Sequence, residues 1–461
     1  MDKDRFKDFD EEERQLVLDF ENTVLRGGHR FFDVDELEMI MDYYFEVNDI
    51  APLERAVEYA EQLYPDSASV QLRRAHLYIA KEQFEPAMRI IQALRRREPD
   101  NTDVAYSLGV AYSAMGEHEK AIALFHEAAE DGWLLGRVYA NIAEEYYHLH
   151  DYDAAIRFYQ LSLDTDTYDA PTIYNYLDTA IQTGRLDETV TYLKSFVDEH
   201  PYSYEAWHCL GIAYRELSLY EKAVDAFEYS LAIEKNNLAT YMDLSSTYEM
   251  MGNTPEAVAS LLRGRDYVSN RSSLFRMVAT LYMGKENIDM ALVYFRKAVE
   301  ENPDDGQALA ALAMAYATVD EVNLAMPLLR KALRLAPDNA EVLFSAAAIY
   351  DGLDNFEAAS EFYDRTITSD GCNELMCQHY TSFLYKHRVY EILIQFAEES
   401  LEYYPDSPFY CTYLAAAYFH TNRYNRASRV LPHVDPAFLA DICPEIIAHP
   451  RLGPLVPKAS T

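Results

Sequence analysis

The chain has 461 residues, 49% of them hydrophobic, with only 15 glycines, 18 prolines and a formal charge of −37. That length exceeds the roughly 250–300 residues at which a single core stops growing, so several domains or a repeat array is required, and little chain is left for loops or flexible linkers. Forty basic against 77 acidic side chains repel phosphate backbones and anionic lipid surfaces, so no nucleic acid and no membrane is expected as a partner.

Five cysteines, Cys209, Cys372, Cys377, Cys411 and Cys443, lack CxxC spacing, which suits a reducing compartment better than a disulfide framework. Cys372 and Cys377 read as packing residues or idle surface thiols. No run approaches 18 apolar residues, and the start MDKDRFKDFDEEE has no apolar signal core, so a cytoplasmic location is expected.

In chain order, Asp10 with Glu13 predicts a helix N-cap, Leu16, Val17, Phe20 and Val24 supply an apolar stripe, and Gly27-Gly28 stops the helix. Residues 1–33 are thus expected to form an N-terminal capping helix. The cluster Arg73, Arg74, Lys81, Arg89, Arg95, Arg96 and Arg97 reads as a solvated face, with Arg95 to Arg97 ending a helix where cations suit the dipole. From Val34 onward the sequence repeats with a period of 34. The strongest copy holds Trp207, Leu210, Gly211, Tyr214, Ala223 and Phe227, and Leu108, Gly109, Tyr112, Ala121 and Phe125 repeat it upstream.

Twelve frames fit between Val34 and Asp441 without insertion. The eleventh frame position is tyrosine in ten of them, and the twentieth is alanine in nine. Apolar residues at i, i+3, i+4 and i+7 within a frame mark helices buried along one stripe, so each frame holds two. Asn48, Gly116, Gly184, Ser218, Gly252, Asp320, Asp354 and Asn422 stand between them as turn residues. Frames one, two, five and eleven depart from the pattern: Arg74 replaces the core leucine, Ala180 and Leu384 the tyrosine, and Leu53, Thr189 and Leu393 the alanine. After Val430, Pro432 shortens the last repeat. Pro436 and Pro444 each fit the first turn of a short helix, with Phe438, Leu439, Ile442, Ile446 and Ile447 available to cover the terminal repeat. The tail Arg451 to Thr461 is expected to fray.

This spacing resembles the tetratricopeptide repeat, W-x2-L-G-x2-Y…A-x3-F…P at 34 residues. The resemblance implies an all-α fold: an α-solenoid, a right-handed superhelix of tetratricopeptide helix pairs. It divides the chain into an N-terminal capping helix at 1–33, twelve repeats forming a single solenoid at 34–441, and a C-terminal cap and tail at 442–461.

Chemistry-bearing motifs are scarce. Phosphate-cradling GxxxxGK[ST] and GxGxxG are absent, as is GxSxG. The two ExxH matches, Glu145 to His148 and Glu205 to His208, occupy different frame positions two repeats apart and read as structural. His118, His148, His150 and Asp151 fall near adjacent turns, where exposed histidines are far commoner than metal ligands. No catalytic residues, no metal and no cofactor are expected, and the chain does not read as an enzyme.

The resemblance instead implies a groove lined by frame positions two, five, six, nine, twelve and thirteen of the first helices, a surface suited to peptides or protein segments. The chaperone-tail clamp of some relatives is not reproduced. Asn141 and Asn175, at position six of consecutive repeats, match asparagines that hold a ligand backbone in peptide-binding relatives. With them, Tyr147, Tyr174, His208 and Arg215 line the middle of the groove, and Met242, Arg276, Met283, Met314 and Phe344 its later part. Early frames add Asp35, Glu38, Asp42, Asp103 and Tyr106; Arg137 and Glu144 follow, and the last frames add Tyr385, Phe409 and Phe419. The expected function is a non-enzymatic protein-interaction scaffold or adaptor. Its expected partner is another protein or peptide segment, apolar with basic flanks. Two other readings stay open: a self-associating or structural protein whose groove is filled by its own terminus or a second copy, and a regulatory subunit of a separate enzyme.

Overall fold

The computed structural model describes residues 11–25, 30–47, 49–132, 135–165, 170–405 and 407–457. The expected N-cap Asp10, the stop at Gly27-Gly28, the first turn residue Asn48 and the last four residues of the tail lie outside them. Every regular element among the described residues is helical. The chain divides into two compact units, Met1–Glu234 and Lys235–Thr461.

The first unit opens with α1 (Glu11–Phe20), followed by a π turn, Glu21–Leu25. Six helix pairs come next: α2 (Val34–Glu46) and α3 (Ile50–Leu63), α4 (Ala68–Ala80) and α5 (Phe84–Arg97), α6 (Thr102–Ala114) and α7 (His118–Ala128), α8 (Leu135–His148) and α9 (Tyr152–Leu163), α10 (Ala170–Gln182) and α11 (Leu186–Glu199), α12 (Tyr204–Glu216) and α13 (Tyr220–Ile233). The second unit holds six more: α14 (Leu238–Met250) and α15 (Thr254–Gly264), α16 (Arg271–Gly284) and α17 (Ile288–Glu301), α18 (Gly306–Thr318) and α19 (Val322–Leu335), α20 (Ala340–Gly352) and α21 (Phe356–Ile367), α22 (Glu374–Lys386) and α23 (Tyr390–Tyr403), α24 (Pro408–His420) and the shortened α25 (Tyr424–Val430). Two short helices close it, α26 (Pro436–Ile442) and α27 (Pro444–Ala448).

Polar side chains start most of the first helices. Asp33 and Glu36 form a reciprocal capping box at α2. Ser67, Asn101, Ser203, Asn237, Asp305 and Asn339 each accept a backbone N–H of the first turn they precede, satisfying a donor that the helix leaves orphaned.

The turn inside each pair is built the same way. At frame position fifteen the backbone is left-handed at Glu82, Gly116, His150, Gly184, Ser218, Gly252, Glu286, Asp320, Asp354, Arg388 and Asn422. The following N–H then closes on the carbonyl five residues back, as from Gln83 to Tyr78 (2.8 Å), Asn253 to Tyr248 (2.8 Å) and Arg423 to Tyr418 (2.7 Å). Four of these eleven, Glu82, His150, Glu286 and Arg388, are residue types that carry no turn signal in the sequence.

Small residues let the paired helices approach. A Cβ at Gly109 would stand 2.7 Å from Cε1 of Phe125, and one at Gly211 would stand 2.5 Å from Cε1 of Phe227. In the second unit four alanines take the same frame position, Ala279, Ala313, Ala347 and Ala415, all fully buried, with Ser245 and Thr381 in the other two pairs. Phe125, Phe227 and Phe295, one frame position per repeat, fill the volume that remains and are buried.

The ends are covered. On the first pair lies α1, through Leu16, Val17 and Phe20, with the Phe20 ring edge-on to Phe32 at 5.7 Å and to Tyr59 at 6.0 Å. At the far end Leu439, Cys443, Ile446 and Leu452 are buried in the core of the last two pairs, while Ile447 stays exposed. Arg451 donates to Oδ1 of Asn425 at 3.2 Å, so the described part of the tail packs down where the sequence predicts fraying.

Candidate functional site

Within each unit the first helices of successive pairs lie side by side, as α2 with α4, α4 with α6 and α10 with α12 in one, and α16 with α18, α18 with α20 and α22 with α24 in the other. Side chains at frame positions two, five, six, nine, twelve and thirteen therefore share one face.

In the first unit that face carries two hollows. One, of about 340 Å³, is lined by Asp42, Phe45, Arg73, His76, Ile79, Ala80, Tyr106, Val110 and Arg137. The other, of about 310 Å³, is lined by Tyr106, Val110, Ser113, Phe125, Arg137, Ala140, Asn141, Glu144, Glu145, Pro171, Thr172 and Asn175. Tyr106, Val110 and Arg137 belong to both, so one wall serves two compartments.

Electrostatics in the first hollow is tightly set. Arg73 bridges to Asp42 at 2.7 Å. Burial raises the Asp42 carboxyl above the usual carboxylate range, against the pull of Arg73 and Arg137. His76 meets Oγ of Ser107 through Nε2 at 2.9 Å and lies edge-on to Phe45. Burial, then Arg73 and Arg137, hold its pKa down at about 3, so the imidazole is neutral at pH 7. An apolar floor of Phe45, Ile79 and Val110 thus sits beside two guanidinium groups and one carboxylate.

The remaining cations of the basic cluster are mostly paired. Arg74 joins Glu61, Lys81 joins Glu54 at 2.7 Å, Arg95 joins Glu127 and Arg97 joins Glu98 at 2.9 Å. Arg73 departs from the solvated-face reading, because position six of its helix points it into the hollow.

The structure brings Asn141 and Asn175 into the second hollow. Nδ2 of Asn141 donates to the Tyr106 hydroxyl at 3.0 Å, and Nδ2 of Asn175 donates to Oε1 of Glu144 at 3.2 Å. Tyr147 and Gln182 share a hydrogen bond across adjacent first helices, with Gln182 Nε2 donating to the Tyr147 hydroxyl at 2.8 Å. Tyr174 meets Nδ1 of His208 at 3.3 Å. His208 is 4% exposed, so it supports the face from below, and Arg215, also largely covered, reaches Glu216 at 3.5 Å.

In the second unit Met242 is 40% exposed. Arg276 crosses three repeats, donating to Glu341 at 2.6 Å and to Gln307 at 3.1 Å. Met283 and Met314 pack half-buried against neighbouring alanine-rich clusters. Phe344 stands edge-on to His379 at 5.1 Å.

Beyond Phe344 the face is occupied by the chain itself. Phe438 of α26 stacks on Phe409 at 5.8 Å and meets Tyr413 edge-on at 5.3 Å. The Tyr385 hydroxyl donates to the Ile442 carbonyl at 2.8 Å, the Asp435 N–H donates to Oγ1 of Thr412 at 3.1 Å, and Sγ of Cys443 approaches Nε2 of His420 at 3.7 Å. Tyr385, Phe409 and Phe419 are therefore covered by the C-terminal segment, with His449 edge-on to Phe419 at 5.8 Å.

Near the turns, His118 Nδ1 meets the buried Glu145 at 2.6 Å and stacks on His148. Among the described residues no group of three His, Cys, Asp or Glu side chains is arranged to hold a metal ion. No helix there is long and apolar enough to cross a membrane.

Sequence reasoning missed Phe45, Arg73, His76, Ile79, Ala80 and Val110. Counting frame positions would have found Phe45 in the first repeat, Val110 in the third and the other four in the second, but Arg74 at the usual leucine position obscured the second frame.

Antiparallel helix pairs stacked at a 34-residue period define the class as a helical repeat protein. Family models for the tetratricopeptide repeat match residues 53–106, 104–131, 136–167 and 277–340, which identifies those segments as tetratricopeptide repeats. It is similar to the BBSome complex member BBS4 of Bos taurus, 22% identical over 368 residues covering 79% of this chain and 70% of that protein. It is also similar to the TPR repeat-containing protein YpiA of Bacillus subtilis (strain 168), 22% identical over 331 residues, 64% of this chain and 78% of that protein. Among solved structures yeast Tom70 aligns over 91% of this chain and 97% of its own, at 15% identity and a TM-score of 0.47.

Proposed function

We propose that the protein is an interaction scaffold whose first-helix face binds a segment of another protein. The observation that carries this reading is the pair of hollows sharing Tyr106, Val110 and Arg137. The first hollow joins an apolar floor to a few convergent polar groups, as ligand sites generally do, and the second adds a mostly polar lining. Asn141 and Asn175 present amide groups that serve any peptide backbone. The ligand is an apolar segment with basic flanks: its apolar side chains enter the hollows of the first unit, while Asp35, Glu38, Asp103 and Glu144 of the same unit attract the flanks.

Panning a random peptide display library on the immobilised protein tests this. Enriched sequences should hold apolar anchors bordered by Lys or Arg, and an Asn141→Ala/Asn175→Ala variant should lose them without a change in melting temperature. Enrichment that is indifferent to this variant, or sequences without apolar anchors, would overturn the reading.

A second reading, a face filled by the chain's own terminus, is favoured at one place. The C-terminal segment already covers Tyr385, Phe409 and Phe419. Its buried Leu439, Cys443 and Ile446 make it a fixed cover there, since each large buried apolar side chain resists removal by about 1.5–3 kcal/mol.

A further inference from the structure

Cys372 and Cys377 stand at two specific positions of the α22 N-terminus. Asn373 is the N-cap, accepting the Met376 N–H through Oδ1 at 3.1 Å. Cys372 therefore immediately precedes the cap, and Cys377 is the fourth residue of the helix. Side chains at those two positions ordinarily pack against each other as an apolar staple that fixes how the chain enters the helix. Here the staple is made of two thiols, with sulfur atoms 3.6 Å apart. Both are half-buried, whereas Cys209, Cys411 and Cys443 are buried.

We infer that Cys372 and Cys377 form a dithiol modification site that hydroperoxides convert to an intrachain disulfide. Cys372 lies outside the helix, on the turn after Gly371, and its thiolate attacks the peroxide. The O–O bond breaks, Cys372 becomes a sulfenic acid, and the distal oxygen leaves as an alcohol, or as water from hydrogen peroxide. The Cys377 sulfur then attacks the sulfenic sulfur, the S–S bond forms, and a second water departs with the sulfenic oxygen. Overall two thiols lose two electrons and two protons to the peroxide.

The order of attack follows from the surroundings. Burial, then Cys372 and Glu374, push the Cys377 thiol up to about 12, so it is not the group that attacks the peroxide; in the second step its proton leaves with the departing sulfenic oxygen as water. The same helix turn carries Leu375, 60% exposed at frame position two. The tether thus fixes the start of α22.

Treating the full-length protein with hydrogen peroxide tests the site. After alkylation of remaining thiols and peptide mapping, the expected product has lost two hydrogens, links Cys372 to Cys377 within one chain, leaves the three buried cysteines alkylatable after unfolding, and reverts with dithiothreitol. Cys372→Ser and Cys377→Ser should each abolish it with an unchanged helical circular dichroism spectrum. In Cys377→Ser the Cys372 sulfenic acid should be trapped by dimedone. Links between chains, overoxidation of Cys372 without a disulfide, or two free thiols under conditions that consume cysteine in a short reference peptide would overturn the assignment.

Discussion

Gly211 and Phe227 occupy one space: a methyl group on Gly211 would lie 2.5 Å from Cε1 of the ring, nearer than real carbons approach. Phe227 is fully buried and has nowhere to withdraw. Gly211→Leu should therefore destabilise the protein by about 1–3 kcal/mol, the usual cost of overpacking. Chemical denaturation followed by circular dichroism checks it, and an unchanged midpoint would refute the close helix approach.

The left-handed turns predict effects of opposite sign. Glu82 and Glu286 sit at φ 58 in exposed turns, a conformation that costs an L side chain roughly 1–2 kcal/mol, whereas glycine carries a smaller entropic penalty. Glu82→Gly and Glu286→Gly should each stabilise by about 0.5 kcal/mol. Gly116→Ala and Gly252→Ala, at φ 74 and 75 with open space around them, should each destabilise by about 1 kcal/mol. Thermal melting of the four variants decides it.

His76 gives the fold a pH dependence of defined sign. Its folded pKa of about 3 lies below the ordinary 6.5, so the unfolded chain takes up the proton first. The stability it supports is present above pH 6.5 and is lost as pH falls through the interval toward 3, at up to about 1.4 kcal/mol per pH unit. Asp42, raised by burial, works in the opposite sense at lower pH, so the informative comparison is between proteins. His76→Gln, which keeps a partner for Ser107, should show a shallower loss of stability between pH 6.5 and 5 than wild type. Parallel curves would remove His76 from the account.

The C-terminal cover predicts a local cost. Leu439 is fully buried against the last two pairs, and Leu439→Ala should destabilise by about 2–5 kcal/mol. Hydrogen exchange should rise first in α24 and α26, and exchange confined to α26 would show that the segment is not part of that core.

Much of this was legible because packing positions recur. Tyr214, Ala223 and Phe227 mark helix faces by period alone, and the turn glycines announce themselves. Glu82, His150, Glu286 and Arg388 adopt the same backbone with no compositional cue, because the hydrogen bond back to the preceding helix imposes the conformation. The site was harder to read. Asn141 and Asn175 were placed by frame arithmetic, but His208, on the same face, is buried beneath Tyr174 and against Phe227, because large rings stand on either side of it. Arg73 was masked by its neighbours: a run of cations looks like a solvent face until the helix phase separates the one that turns inward. The thiol staple needed the cap at Asn373 to be located before its two cysteines could be related.

The central claim is that the first-helix face of the first unit holds a ligand segment. Fluorescence anisotropy of a labelled peptide selected by panning, titrated with wild type, Tyr106→Ala/Arg137→Ala and Leu161→Ala, tests it most directly, since Leu161 lies exposed on the second helix α9. The account predicts at least about tenfold weaker binding for the double variant, a loss of about 1.4 kcal/mol, and no change for Leu161→Ala. Equal affinity for wild type and the double variant, or weakening only by Leu161→Ala, would contradict it.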